Sequence, residues 1–428
     1  MKIEKISAYE ILDSRGRPTL TAVTTLSGGF CGEASVPSGV STGSHEAIEL
    51  RDGDDQRYNG LGVLKALANV RTKIAPVLIG QDAADQRKID SLMIELDGTD
   101  NKANLGANAI LAVSLSAARA QALAEGQPLY RYLSKFNPDF RGQYLLPIPM
   151  MNIMNGGQHA NWATDIQEYM IMPLGAKTMA EAVRMCAEVY FQLKKVLKSK
   201  NYSLGIGDEG GFAPAVASNA EPFELILEAV DRAGYQAGRD IFLSIDAAAS
   251  EFYREGRYQL NKEGLEADSQ KLADFYRALL DKYPIVSVED IFSEDDWSGF
   301  KSFTAALGNR LQIVGDDIYV TNHQRLQTGL KEKTTNSILI KLNQIGTLTE
   351  TIDVMLLAKK HNWTNIVSHR SGETTDDFIA DLAVALGAGQ IKTGAPCRGE
   401  RTVKYNRLMR IEQAELNQAA YASFPFHL

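Results

Sequence analysis

The chain has 428 residues, 44% of them hydrophobic, which exceeds the length at which one core usually stops growing and predicts two or more domains. Its 45 Lys and Arg against 53 Asp and Glu give a formal charge of −8, the wrong sign for a general nucleic-acid or anionic-membrane binder. Cys31, Cys186 and Cys397 stand far apart, with neither a CxxC metal spacing nor a disulfide framework, and fit a reducing compartment.

The opening MKIEKISAYE has no apolar signal core. The longest apolar-rich stretch, AILAVSLSAARAQALA, is broken by serines and an arginine short of the roughly 20 residues of a membrane span. A soluble, cytoplasmic protein is expected. KIEKISAYEIL, TLTAVTTL and FCGEASV read as β-strands, the last two joined as a hairpin at Gly28 and Gly29. Helical patterns follow at GVLKALANVRTKIAPVLIG, DQRKIDSLMIEL and GANAILAVSLSAARAQALAEG, where repeated small residues predict close helix packing. The proline-bearing stretch FNPDFRGQYLLPIP marks a boundary, giving an α+β unit over 1–135 and a second unit over 140–428.

In the second unit, short β-branched runs alternate with helical stretches: IFLSIDA, IVSVEDI, LQIVGDDI, SILIKLN, TNIVSHR and QIKTGA. That alternation predicts parallel β/α units. Each run ends in an ionisable side chain: Asp246, Glu289, Asp316, Lys341, His369 with Arg370, and Lys392. A doubly wound sheet gathers its ligands at one crevice, whereas a barrel gathers every C-terminal strand end around one mouth. Six successive strand ends bearing charge therefore favour the barrel over a set of solvated loop starts.

Asp246, Glu289 and Asp316 offer hard oxygens suited to Mg2+, though such residues also cap helices or pair with surface bases. Lys341 in ILIKLNQIGT is a candidate base if Lys392, Arg370 and a metal disfavour its protonated form; its plainer role is to reach the surface. Asp208 and Glu209 in GIGDEGGFAP either face water from a tight turn or supply an acid for a poor leaving group. Arg370 and Ser371 in SHRSGE form a donor set for phosphate. PSGVSTG lacks the lysine of an ATP-binding loop, and its Ser41 and Thr42 suit either a surface loop or a loop closing over substrate. NIMNGGQHANWATD, with His159, is a second lid candidate.

Over essentially its whole length the chain resembles the enolase family. The landmarks are DSRG, PSGVSTG, RDGD, GANAILAVSL, PMMNIMNGG, DIQEYM, GDEGGFAP, SIDAAASEFY, PIVSVED, GDD, ILIKLNQIGTLTET, SHRSGET and IKTGAP. The resemblance implies an enolase-type (β/α) barrel with irregular opening units, preceded by a smaller α+β domain. It implies conversion of 2-phosphoglycerate to phosphoenolpyruvate with two Mg2+ per site during turnover. Asp246, Glu289 and Asp316 would hold one ion, and Ser41 the other together with phosphate. Lys341 would take the C2 proton and Glu209 would be the acid. Arg370 and Ser371 would bind phosphate, and Lys392 the carboxylate. His159, Gln167 and Glu168 would complete the pocket, with Glu168 and His369 near the leaving group. A homodimer or octamer is implied, with an additional cell-surface or secreted pool compatible with the family, and no direct nucleic-acid or membrane binding. Departures from the family pattern are Val40 in PSGVSTG, Gln158, Asn161 and Trp162 in NGGQHANWA, and Gly399 in CRG.

Two other functions fit parts of this pattern. A related metal-dependent, proton-abstracting enzyme acting on an unphosphorylated carboxylate would lack the Ser41 loop and the Arg370-Ser371 pair. An enolase-fold interaction protein, with a surface or RNA-processing role, would not need intact acid, base and metal-ligand candidates.

Overall fold

In the computed structural model, which describes residues 1–39, 43–415 and 419–426, the first three strands form an antiparallel meander. β1 (Ile3–Leu12) pairs with β2 (Pro18–Leu26), and β2 with β3 (Cys31–Ser35). Gly28 and Gly29, both at positive φ, make the turn expected between β2 and β3. A helical run follows over Leu64–Asn69, Val70–Ile74 and Ala75–Leu78, then α1 (Gln86–Asp97) and α2 (Ala107–Ala124). Asp85 caps α1 by accepting from the Lys88 amide, and Gly98 in the left-handed region ends it. The small residues of α2 let it lie directly on the sheet. A Cβ on Gly32 would stand 2.1 Å from the Ala120 amide nitrogen.

The second part of the chain closes eight strands into a barrel. The strands are β4 (Ile148–Asn155), β5 (Glu168–Met172), β6 (Phe242–Asp246), β7 (Ile285–Glu289), β8 (Gln312–Gly315), β9 (Ser337–Ile340), β10 (Thr364–Ser368) and β11 (Gly389–Lys392). The six β-runs read from sequence are β6 to β11, all parallel, and β11 closes on β4. The opening is irregular, because β5 runs antiparallel to both β4 and β6. Two helices, α3 (Met179–Ser199) and α4 (Glu221–Arg232), then separate β5 from β6. Beyond β6 the helices alternate with strands: α5 (Ser269–Lys282), α6 (Trp297–Leu307), α7 (His323–Glu332), α8 (Leu348–Lys360), α9 (Phe378–Leu386) and α10 (Gly399–Ala414).

Barrel strands are covered on both faces, which is why they read as continuous apolar runs rather than alternating ones. Met150, Met170, Phe242, Val314, Leu339 and Ile366 fill the interior, so the barrel is a packed core. Ala422, Tyr421 and Phe424 join that cluster beside a strand over Ala419–Tyr421, which pairs with Tyr144–Leu146 just ahead of β4. This covers the N-terminal end of the barrel and leaves the C-terminal end for chemistry.

The α+β unit grips that working end. Ser114 Oγ accepts from the Leu348 amide at 3.0 Å, and Asp90 Oδ2 from the Thr349 amide at 2.9 Å, so both cap α8 from outside. Lys102, nearly fully buried, reaches Glu350 in the same first turn at 3.0 Å. The segment between Lys341 and α8 is therefore anchored from both units.

Candidate active site

Strand ends place the site. β6 ends at Asp246, β7 at Glu289 and β11 at Lys392, while Asp316, Lys341 and His369 each follow their strand by one residue. A cavity at this mouth is lined by six carboxylates, Glu168, Glu209, Asp246, Asp290, Asp316 and Asp317, and by three cations, Lys341, Arg370 and Lys392. His159, Gln167, His369 and Ser371 complete the wall. Every site residue implied by the family resemblance is thus gathered here except two. Glu289 lies just outside the lining but bonds Lys392, and Ser41, like Val40, lies outside the described residues.

Opposite charges sort into groups. Lys392 Nζ, 2% exposed, sits 3.1 Å from Glu168, 3.0 Å from Asp246 and 2.9 Å from Glu289. Asp316 turns away to Lys341, and Gln344 donates to its other oxygen at 2.8 Å. The three expected metal ligands are therefore divided between two lysines. Two further acids join them. Asp290 accepts from the Asp316 amide at 2.9 Å and the Asp317 amide at 2.8 Å, and Asp290, Asp316 and Asp317 bring one oxygen each within 4.8 Å of one another.

Burial first, and neighbouring carboxylates second, push Glu289, Asp290 and Asp317 well above the ordinary carboxylate range. Burial pushes Asp316 the same way, but Lys341 outweighs it and Asp316 is lowered. Like charge from Lys392 and Arg370 leads one to expect a Lys341 tending towards neutrality. The reverse holds: burial, the largest effect, and those cations lower Lys341, yet the Asp316 and Asp317 carboxylates together outweigh them and raise it.

On the opposite wall, His159 Nδ1 lies 3.7 Å from Glu168 and 3.9 Å from Glu209, and its Nε2 is 3.1 Å from Ser371 Oγ. Asn152 donates to Glu209 Oε2 at 3.0 Å, and His369 Nε2 faces the same oxygen at 3.3 Å. Burial raises both carboxyls, but the imidazoles and Arg401 bring Glu209 well below the usual value, whereas Glu209 itself drives Glu168 further up. The two carboxyls are driven in opposite directions, Glu168 up and Glu209 down. Arg370 is gripped by Glu46 of the α+β unit at 2.9 and 3.1 Å and by Asn343 at 3.0 Å, which sets the plane of its guanidinium.

Family models account for the two units separately. The N-terminal domain of enolase matches residues 3–133, and the C-terminal TIM barrel domain of enolase matches residues 143–427. The chain belongs to the enolase family. Among its relatives is Enolase 2 of Methanospirillum hungatei JF-1, 56% identical over 422 residues that span 98% of this chain and 97% of that one. Enolase 1 of the same organism is 53% identical over 423 residues, covering 99% and 98%.

The residues present fit the divalent cation that an enolase uses. Six carboxyl groups against three cations make a buried space richer in acids than in bases, and all the donors of Asp246, Glu289 and Asp316 are hard oxygens. Glu289 Oε2 is buried and has no hydrogen-bond partner. As a member of the superfamily the chain is a metal-dependent enzyme whose acidic cluster is able to hold such an ion.

Of the departures from the usual enolase pattern, Gln158, Asn161, Trp162 and Gly399 are not among the residues that line this cavity. Gln158 donates to Glu251, tying the 157–163 loop to the segment after β6, and Trp162 is partly exposed. Gly399 opens α10 with empty space where a Cβ would be. Sequence reasoning missed Glu46, Asn152, Asp290, Asp317 and Arg401. Doubled acids in VED and GDD were a visible signal for two of these, while Glu46 and Arg401 looked like ordinary surface charge.

Proposed function

We propose that this enolase-family chain is a phosphopyruvate hydratase, a carbon–oxygen lyase that reversibly dehydrates 2-phosphoglycerate to phosphoenolpyruvate in glycolysis and gluconeogenesis. One observation carries the reading: a single cavity is lined by Lys341, the Glu168–Glu209 pair, and Arg370 with Ser371. The names of its relatives, Enolase 2 and Enolase 1, point the same way.

A hydrogen beside a carboxylate is weakly acidic, and hydroxide is a poor leaving group. The reaction therefore needs a base on one side, an acid on the other, and positive charge around the carboxylate. Lys341, released from its pair with Asp316 and made neutral by giving its own proton to solvent, takes the C2 proton at Nζ. Glu209 passes a proton to the departing C3 hydroxide from the store it shares with Glu168. Lys392 faces the substrate carboxylate, and the planar fork of Arg370 holds phosphate together with Ser371. His159 and Gln167 close the pocket and exclude water.

Asp246, Glu289 and Asp316 would hold one Mg2+, and Ser41 with the phosphate a second. When bound, magnesium supplies concentrated positive charge at the substrate carboxylate. A phosphate site beside the base separates this reading from an enzyme for unphosphorylated acids. A homodimer or octamer in the cytoplasm is the assembly and location that go with it.

Phosphoenolpyruvate absorbance, followed with purified protein and 2-phosphoglycerate, tests the proposal. Turnover is expected only with Mg2+, and Glu209→Gln is expected to lower it by about 10²–10⁴-fold, the usual worth of a positioned acid. No product with Mg2+ present would reject the assignment.

A further inference from the structure

The proposed chemistry gives no task to Arg401, a fully buried cation beside the site. Arg401 lies in the first turn of α10 with its side chain 0% exposed, and its guanidinium spans two loops of the site. Nη1 donates to His369 Nδ1 at 2.7 Å and to the Arg370 carbonyl at 2.6 Å. Nη2 donates to the Ser371 carbonyl at 2.6 Å and to the Asp208 carbonyl at 3.1 Å. Gly394, at φ +81, makes the room: a Cβ there would stand 2.9 Å from Arg401 Cδ and 3.1 Å from His369 Cε1.

A guanidinium offers only N–H donors and accepts nothing. His369 Nδ1 must therefore present its lone pair to Arg401, which leaves the one ring proton on Nε2. Nε2 is the atom that faces Glu209 Oε2 at 3.3 Å. A second proton, on Nδ1, would meet the very N–H it accepts from, so the ring stays neutral. Burial, opposed by Glu209 and aided by Arg401, accordingly lowers His369 to about 4.

We propose that Arg401 is a positioning residue that fixes His369 as its Nε2–H tautomer and so turns an N–H, never a lone pair, towards Glu209 Oε2. His369 then neither takes nor gives a proton during turnover. With Asn152 donating to Oε2 at 3.0 Å and His369 aimed at the same atom, Oε1 is left as the oxygen through which Glu209 passes its proton. This last consequence rests on the proposed dehydration, whereas the tautomer follows from Arg401 alone.

The tautomer is read directly from two-bond 1H–15N spectra of histidine-labelled protein. The chain has 6 His, and His369 is assigned by its loss in His369→Asn. Expected in the parent is an unprotonated, acceptor-type Nδ1 with the proton on Nε2, and no imidazolium down to about pH 5, well below an ordinary histidine. Arg401→Met, which removes the donors, should mix the tautomers and let the ring protonate at higher pH. Arg401→Lys retains a donor and should keep the parental signature.

In the dehydration assay Arg401→Met should lower kcat by about 10–100-fold with a much smaller change in KM, the scale for a partner that orients a working histidine. Arg401→Lys should recover most of that loss. A parental spectrum with the proton on Nδ1 overturns the proposal even if Arg401→Met fails to fold, and so does an Arg401→Met variant with altered tautomer but parental kcat. A parental chain that shows the expected tautomer yet makes no phosphoenolpyruvate leaves Arg401's role standing and rejects the lyase reading instead.

Discussion

Replacing Lys392 by methionine keeps the length of the side chain and removes its charge from among three buried carboxylates. Nζ lies 3.1, 3.0 and 2.9 Å from Glu168, Asp246 and Glu289, and only 2% of the side chain is exposed. Breaking one partner out of a buried ion pair typically costs about 3–5 kcal/mol, because the remaining charge is stranded. Glu168 and Glu289 are already pushed well up by burial, so protonation relieves part of this and favours about 3 kcal/mol. For 428 residues the unfolding entropy is roughly 0.9 kcal/mol/K, which makes the expected fall in Tm about 3–5 °C. Calorimetry in EDTA measures it. Mg2+ at about 100 times its Kd adds roughly 2.7 kcal/mol to whichever form binds it, and the more negative Lys392→Met site should gain more than the parent. A variant that melts with the parent in EDTA, or that gains less from Mg2+, would refute the placement of Lys392 as the cation that neutralises these three carboxyls.

Two further perturbations test the scaffold. Burial raises Asp90 from 3.8 to about 6, against opposing hydrogen bonds from Thr349, Ser114 and Gln86. A carboxyl raised on folding contributes stability that is present below its unfolded value and lost as pH climbs through the folded one. Urea titrations should therefore show Asp90→Asn gaining on the parent by up to ~3 kcal/mol between about pH 4 and pH 6, and no further above that; a flat difference would contradict the burial of the charge. Gly394→Ala adds a Cβ 2.8 Å from the Glu209 carbonyl at a φ of +81. A loss of about 1–3 kcal/mol in stability, with a fall in kcat, is expected; parental kinetics would show that the Glu209 loop tolerates displacement.

The barrel was legible in the sequence because two-sided burial makes each strand apolar and because the six parallel strands β6 to β11 each carry charge at or just past their C-terminal ends. The hairpin at Gly28–Gly29 was legible for a different reason, since two adjacent glycines suit a tight turn whose central residues both lie at positive φ. The antiparallel β5 was not readable from pattern, as EYMIM looks the same in either direction, and it was implied only by family resemblance. Asp290 escaped because successive residues of a strand normally face opposite sides. Here φ +43 bends the chain and returns its carboxylate to the pocket beside Asp316. Arg401 begins an amphipathic helix, where arginine is usually solvated, and Glu46 reaches the phosphate-binding candidate from the other unit. Lys341 was found, but not its counter-ion, because Asp316 comes from the neighbouring strand and was assigned to the metal alone.

The account turns on Lys341 as the group that takes the C2 proton. Incubating 2-phosphoglycerate with the chain and Mg2+ in D2O, and following loss of the C2 hydrogen by NMR, isolates that step from the departure of hydroxide. Exchange at C2 is predicted with the parent and with Glu209→Gln, and none above background with Lys341→Ala. Exchange at the parental rate in Lys341→Ala would contradict the account.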